Sequence, residues 1–103
     1  MEYRVEVSES AERDLDTILT YIAEELASPK AASNFANELD AKYEMLENHP
    51  LMFELSRNER LAKIGYHRFV VGKHIALYQV DEVKRVVTIS RIFYGKQDYE
   101  KHI

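Results

Sequence analysis

The chain has 103 residues and no cysteine; 46% of its residues are hydrophobic and its formal net charge is −4. This length predicts one domain over residues 1–103, since single cores run to roughly 100–150 residues. Without cysteine, a disulfide framework and a thiolate metal site are excluded. No apolar run reaches the ~18–20 residues of a membrane span, and Met1–Arg4 does not begin like a signal peptide, so we expect a cytoplasmic protein without membrane contact.

The chain begins with a predicted strand and a predicted helix. Tyr3–Val7 alternates apolar and charged residues, which is typical of a strand with one buried face. Ser8 or Ser10 can cap the helix that follows. Apolar residues then recur at helical spacing as far as Leu26, which predicts a helix of about 18 residues with one buried face.

A second helix is predicted from about Pro29 to Asn48. Ser28 supplies the cap, and Pro29 fits the first helical position. Because the connection to the first helix is short, the two helices should form an antiparallel hairpin. Residues 51–63 have no clean period and contain Arg57, Arg60 and Lys63, so a basic loop is expected there.

Three strands are predicted after Gly65, with short turns between them. Tyr66–Val71, His74–Val80 and Val83–Phe93 are rich in β-branched and aromatic residues. Gly72-Lys73 and Asp81-Glu82 separate them as hairpin turns. The resulting order, β-α-α-β-β-β, indicates an α+β fold with a helical hairpin packed on one face of a mainly antiparallel sheet.

Charge is distributed unevenly along the chain. Residues 1–50 carry four basic and twelve acidic groups, whereas residues 51–103 carry ten basic and six acidic groups. Such asymmetry points to an interaction surface, here a basic half on an acidic scaffold. The alternative is that the two halves neutralise each other in the fold.

Basic and aromatic side chains alternate through the second half, a composition that suits phosphate contacts and base stacking. A nuclease without a metal could use arginine and lysine to stabilise the phosphorane, and histidine or tyrosine to move protons. The four histidines are too scattered for a metal site, and no cofactor is expected. The cluster comprises Arg57, Arg60, Lys63, Tyr66, Arg68, Lys73, His74, Arg91, Tyr94 and Lys96.

Several of these side chains also have structural interpretations. Arg91 shares strand parity with core residues, and the alternative interpretation is that it pairs with a carboxylate of the first helix. Tyr66 and Tyr78 fit core positions with their hydroxyls at the surface, and His67 and His74 fit hydrogen-bonded strand positions. Arg68 stands alone among apolar neighbours, which makes it the best candidate site residue.

The chain resembles the RelE/ParE toxins over nearly its whole length. The helical hairpin carries Ala11-x-x-Asp14-Leu15-x-x-Ile18-x-x-Tyr21-Ile22, Ala32-x-x-Phe35-x-x-x-Leu39 and Leu46-x-x-His49-Pro50. The second half continues with Gly65-Tyr66-His67-Arg68, Gly72-Lys73-His74-x-x-x-Tyr78-Gln79-Val80, Ile89-x-Arg91-Ile92 and Tyr94-Gly95-x-x-Asp98. The compact β-α-α-β-β-β fold of these toxins agrees with the fold predicted from periodicity.

The resemblance implies the toxin of a bacterial type II toxin–antitoxin pair, which arrests growth when its antitoxin is degraded. A cognate antitoxin would wrap the toxin by coupled folding and binding. Operator DNA would be contacted only indirectly, through the antitoxin. The basic half would present Arg57, Arg60, Lys63, Tyr66, Arg68, Lys73 and Lys96 to the antitoxin or the target.

The resemblance leaves two targets open. RelE-like members cleave mRNA on the ribosome, which would assign catalysis to Arg68, Arg91, Tyr94 and His74, with Tyr99 as a second choice for the C-terminal aromatic residue. That branch commonly carries an arginine where this chain has Ile75.

ParE-like members poison DNA gyrase, and the long hairpin with Gly72-x-His74-x-x-x-Tyr78 resembles them more closely. The acidic balance also suits ribosomal RNA poorly, so we favour the gyrase target. A non-toxic antitoxin-binding module is a further alternative.

Overall fold

The chain folds into a four-stranded sheet with a helical hairpin on one face. The computed structural model describes residues 2–97, without the side chain of Gln97. The strand order is β1-β4-β3-β2; β1 runs parallel to β4, and the other pairs are antiparallel. The predicted α+β class is therefore confirmed. In chain order the elements are β1 (Arg4–Val7), α1 (Glu9–Thr20), a π-helical turn (Tyr21–Glu25), α2 (Pro29–Asn48), α3 (Glu59–Lys63), β2 (His67–Val71), β3 (His74–Asp81), β4 (Val86–Tyr94) and a 3₁₀ turn (Gly95–Gln97).

Serine caps begin both helices of the hairpin. Of the two predicted caps for α1, Ser8 is used, and its Oγ accepts the backbone N–H of Ala11 at 3.1 Å. Ser28 accepts from Ala31 at 3.2 Å and is followed by Pro29, whose missing N–H the first turn does not need. These caps set the residue at which each helix begins. The predicted helical hairpin is confirmed.

The sheet separates two apolar clusters. Because side chains alternate along a strand, Ala76 and Tyr78 face the hairpin whereas Ile75 and Leu77 face the other way. Tyr78 is fully buried, hydroxyl included, so the expectation that this hydroxyl reaches the surface is wrong. The smaller cluster, on the far face, consists of Leu61, Ile75, Leu77 and Phe93, with Tyr66 packed against it.

The segment predicted as a basic loop contains a short helix, α3. Asn58 caps it, and its Oδ1 accepts the N–H of Leu61 at 3.2 Å. Leu61 is fully buried in the far-face cluster. A helix of five residues is too short to reveal a period in sequence, so the prediction of a loop over residues 51–63 is wrong in this part.

The turn between β3 and β4 is longer than predicted. Asp81 belongs to β3, and its Oδ1 accepts the N–H groups of Val83 and Lys84 at 3.1 and 2.9 Å. Arg85 completes the turn with a φ of 57°. Strand β4 thus begins at Val86, and Val83, which the β-rich composition placed in the strand, is 94% exposed.

At one end of the molecule the elements separate. The α-helical part of the first helix ends at Thr20, and the π-helical turn that follows leaves Tyr21 and Leu26 exposed. Strand β1 reaches only as far as Ile89 of its partner, while β4 continues to Tyr94. A bulge between Leu77 and Tyr78 in the β3–β4 register accompanies this extension. The end of the sheet and the hairpin therefore enclose an open space.

Candidate functional site

The space between the hairpin and the end of the sheet is a groove of about 1200 Å³. Its walls come from α1, the π-helical turn and α2, and its floor comes from the start of β3 and the end of β4. Most of the surface is apolar, with charged groups at Asp14, Glu38, Lys73 and Arg91. A concave apolar surface with a few polar groups is the usual form of a binding site.

Asp14 and Arg91 form an ion pair in this groove. The Nε and Nη2 of Arg91 lie 2.8 and 3.2 Å from the two carboxylate oxygens of Asp14. The Oδ2 of Asp14 also accepts the backbone N–H of Ile92 at 2.9 Å. The predicted pairing of Arg91 with a carboxylate of the first helix is confirmed.

His74 lies in the floor of the groove between two aromatic rings. Its ring meets Phe35 of α2 edge-on, with centroids 5.2 Å apart, and Tyr94 of β4 at 5.7 Å. Burial lowers the pKa of His74, because an imidazolium loses hydration there. The neutral ring therefore predominates near pH 7.

Arg68, the favoured site residue, is buried and lies outside the groove. It is 6% exposed, and its Nη1 donates to Glu54 at 3.1 Å. Arg57 donates to the same carboxylate at 3.2 Å. Hydrogen bonds from Arg68 and Arg57 lower the pKa of Glu54. The expectation of Arg68 at an accessible binding surface is wrong, because the strand directs it under the 51–58 segment.

The predicted basic cluster is divided between two places. Arg57, Arg60, Lys63 and Tyr66 lie on or beside α3, away from the groove. Lys63 is within 3.9 Å of Glu59, and Tyr66 packs on the far-face cluster. Lys96 is exposed in the 3₁₀ turn, whereas Lys73 lines the groove.

The predicted nuclease set is only partly assembled. His74, Arg91 and Tyr94 line the groove, but Arg68 does not. Ile75 occupies the position where RelE-like members commonly carry an arginine. It is 8% exposed and lies within the far-face cluster. His67 is a structural residue, since its Nδ1 lies 2.8 Å from the carbonyl oxygen of Phe53 and its ring stacks on Tyr78. Tyr99 and Asp98 lie outside the described residues.

Several groove residues were not predicted as a site from the sequence. Glu38 accepts the N–H of Gly72 at 3.1 Å and so ties α2 to the β2–β3 turn. Tyr21 and Leu26 are 54% and 57% exposed, although Leu26 continues the apolar pattern of the first helix. The sequence signal that could have indicated the groove is the apolar pattern of the first helix, which continues past the part of the helix that is buried against the sheet.

Two further properties concern the part of the chain that the structure describes. Residues 2–97 contain no group of three or more side chains that could together hold a metal ion. None of the described helices is long and apolar enough to cross a membrane.

The sequence comparison decides the family. Residues 5–99 match the family model described as the ParE toxin of the type II toxin–antitoxin system parDE. The chain belongs to the ParE toxin family. It is 34% identical over 97 residues to Toxin ParE1 of Caulobacter vibrioides, covering 94% of both chains. It is thus the toxin component of a type II toxin–antitoxin system, as the resemblance implied.

Solved structures share the fold of this ParE-family chain. A chromosomal ParDE system from P. aeruginosa matches with a TM-score of 0.69 at 17% identity, over 89% of this chain and 95% of the other. The RelBE2 toxin–antitoxin complex from Mycobacterium tuberculosis matches with 0.64 at 22% identity, over 91% and 92%. An E. coli RelE mutant in the free state matches with 0.69 at 14% identity, over 99% and 93%. The fold is common to ParE and RelE toxins.

Proposed function

We propose that this ParE-family toxin arrests growth by binding DNA gyrase, and that its antitoxin holds it inactive by occupying the groove. The observation that supports a binding mechanism is that both arginines of the alternative nuclease set are bound to carboxylates. Arg68 is buried against Glu54, and Arg91 is held by Asp14. A paired cation has less positive potential left to stabilise a phosphorane.

The lining of the groove supports an antitoxin segment as its occupant. Tyr21 and Leu26 present exposed apolar surface beside Ile18, and Lys73 adds a positive charge. A segment with apolar anchor residues and an acidic group complements both features. The structural neighbour from Mycobacterium tuberculosis is a toxin–antitoxin complex, which is consistent with this partner. Operator DNA would then be contacted through the antitoxin, in the cytoplasm.

A supercoiling assay tests the gyrase target directly. Purified toxin is added to gyrase and relaxed plasmid, and we expect supercoiling to fail as toxin approaches gyrase in concentration. Prior incubation with the antitoxin should restore it, which controls for a contaminating activity. In cells, thymidine incorporation should fall before methionine incorporation. Normal supercoiling at high toxin excess would contradict the gyrase target.

A ribosome-dependent nuclease is the second candidate, because His74, Tyr94 and Arg91 line one groove. It predicts codon-register cuts in mRNA only when ribosomes are present, and loss of cutting in Tyr94→Phe. Intact message after induction eliminates this candidate. If neither supercoiling nor message is affected, the chain is a non-toxic antitoxin-binding module.

A further inference from the structure

The position of His74 suggests how occupancy of the groove could be regulated. We propose that His74 makes antitoxin binding pH-sensitive, so that the neutral ring accepts the antitoxin and the protonated ring weakens its binding. This inference rests on the proposed antitoxin site.

The surroundings of His74 favour an uncharged ring. Phe35 and Tyr94 contact it edge-on from two different elements. Among the described residues, none forms a hydrogen bond with either ring nitrogen. The remaining exposed surface of the ring lines the groove, where an apolar partner would cover it. A proton acquired there would lack a hydrogen-bond acceptor from the protein and, once covered, would also lack water.

Burial already lowers the pKa of His74 in the free toxin. A partner seated over the ring removes more water, which disfavours the imidazolium further. The pKa of His74 should therefore fall again when the groove is filled. By linkage, a partner that binds the neutral ring must bind less tightly as the ring becomes protonated.

The charged groups around the groove do not reverse this preference. Lys73, next in the chain, adds a like charge, and Arg91 of β4 is matched by Asp14 of α1. Glu38 of α2 offsets part of the cost, although its carboxylate already accepts the N–H of Gly72. The balance of burial and charge therefore favours the neutral ring in the complex.

The test measures binding of the full-length antitoxin that copurifies with the toxin when the operon is expressed. Its dissociation constant is determined by calorimetry from pH 7.5 to pH 5 for the wild type, His74→Gln and His49→Gln. His49 is exposed just after α2, so His49→Gln is a matched control. Circular dichroism and melting at each pH confirm that every variant is folded.

We expect the wild-type dissociation constant to rise, as the pH falls, by up to about tenfold per pH unit between the pKa of His74 in the free toxin and its lower pKa in the complex. His49→Gln should follow the wild type, whereas His74→Gln should show a flatter profile. Titratable groups of the antitoxin contribute equally to all three profiles and therefore cancel in the comparison.

Two outcomes would overturn the proposal alone: parallel profiles for His74→Gln and the wild type, or tighter wild-type binding at low pH. Undiminished binding by Leu26→Ala at pH 7.5 would overturn the proposed antitoxin site as well, because Leu26 lies in the groove. An NMR titration of the His74 ring gives a second readout, with a lower titration midpoint expected in the complex. Equal midpoints in free and bound toxin would also refute the proposal.

Discussion

Asp14 of α1 binds Arg91 of β4 with both carboxylate oxygens, and its Oδ2 also accepts the N–H of Ile92. The contact lies where β4 has extended past the end of β1, so the carboxylate satisfies a strand N–H that lacks a neighbouring strand. One side chain thus anchors the hairpin to the end of the sheet. It also fixes one wall of the groove.

Replacing Asp14 should destabilise the protein. Asp14→Ala removes charge-assisted hydrogen bonds and leaves the N–H of Ile92 without its acceptor, at a cost of about 2–3 kcal/mol. The free energy of unfolding is measured by urea denaturation. Asp16→Ala is the matched control, because Asp16 is an exposed carboxylate of the same helix and its removal should change stability by less than about 0.5 kcal/mol. Equal losses in the two variants would contradict the anchoring role.

The long helices of the fold could be predicted from the sequence, because their apolar residues repeat over several turns. The apolar repeat of α2 and its Ser28-Pro29 start are unambiguous, since a helix of 20 residues repeats the apolar pattern over five full turns. The turn after β3 could not be placed, because the acceptor role of Asp81 is a side-chain contact that leaves no period. Helix α3 could not be predicted either, because five residues show no period even with Asn58 as a cap.

The site was less predictable than the fold. The pairing of Arg91 with a carboxylate of the first helix is found in the structure, although the simple strand parity behind the prediction is not. The bulge between Leu77 and Tyr78 shifts the register, so that Ile89 lies in the main cluster and Phe93 in the far-face cluster. The burial of Arg68 could not be predicted, because its partner Glu54 comes from a segment without regular structure. Which apolar residues remain exposed, as Leu26 does, depends on where the helices separate, and periodicity carries no information about that.

Arg68 and Arg57 donate to the same carboxylate but should differ in their effect on stability. Arg68 has a side chain 7% exposed, so Arg68→Ala loses packing as well as the ion pair and should cost about 2–4 kcal/mol. Arg57 is 74% exposed, and Arg57→Ala should cost less than about 1 kcal/mol. Thermal melting compares the two variants. An Arg68→Ala protein with wild-type melting would show that the packing of Arg68 and its pairing with Glu54 contribute nothing to stability.

Leu26 and Leu39 provide a matched pair that separates binding from stability. Leu39 is 1% exposed in the main core, and Leu39→Ala should cost about 2–5 kcal/mol of unfolding free energy. Leu26 is 57% exposed in the groove, so Leu26→Ala should melt like the wild type but bind the antitoxin more weakly. Calorimetric titration with the antitoxin and thermal melting measure both properties. Undiminished binding by Leu26→Ala would argue against the groove as the antitoxin site.

Buried tyrosines predict a loss of stability at high pH. Burial raises the pKa of Tyr78 and of Tyr43 from about 10 to about 12. Between these values the unfolded chain releases phenol protons that the folded chain retains, so stability is unaffected below pH 10 and falls as pH rises further. Each tyrosine accounts for a loss of up to about 1.4 kcal/mol per pH unit.

Tyr78→Phe tests this directly. Phenylalanine fills nearly the same volume and cannot ionise, so urea denaturation from pH 8 to pH 11.5 should give a shallower decline than in the wild type. Tyr21→Phe is the control, because that ring is exposed and its substitution should leave the decline unchanged. Parallel curves for Tyr78→Phe and the wild type would mean that the Tyr78 hydroxyl reaches water in the folded protein, contrary to its complete burial.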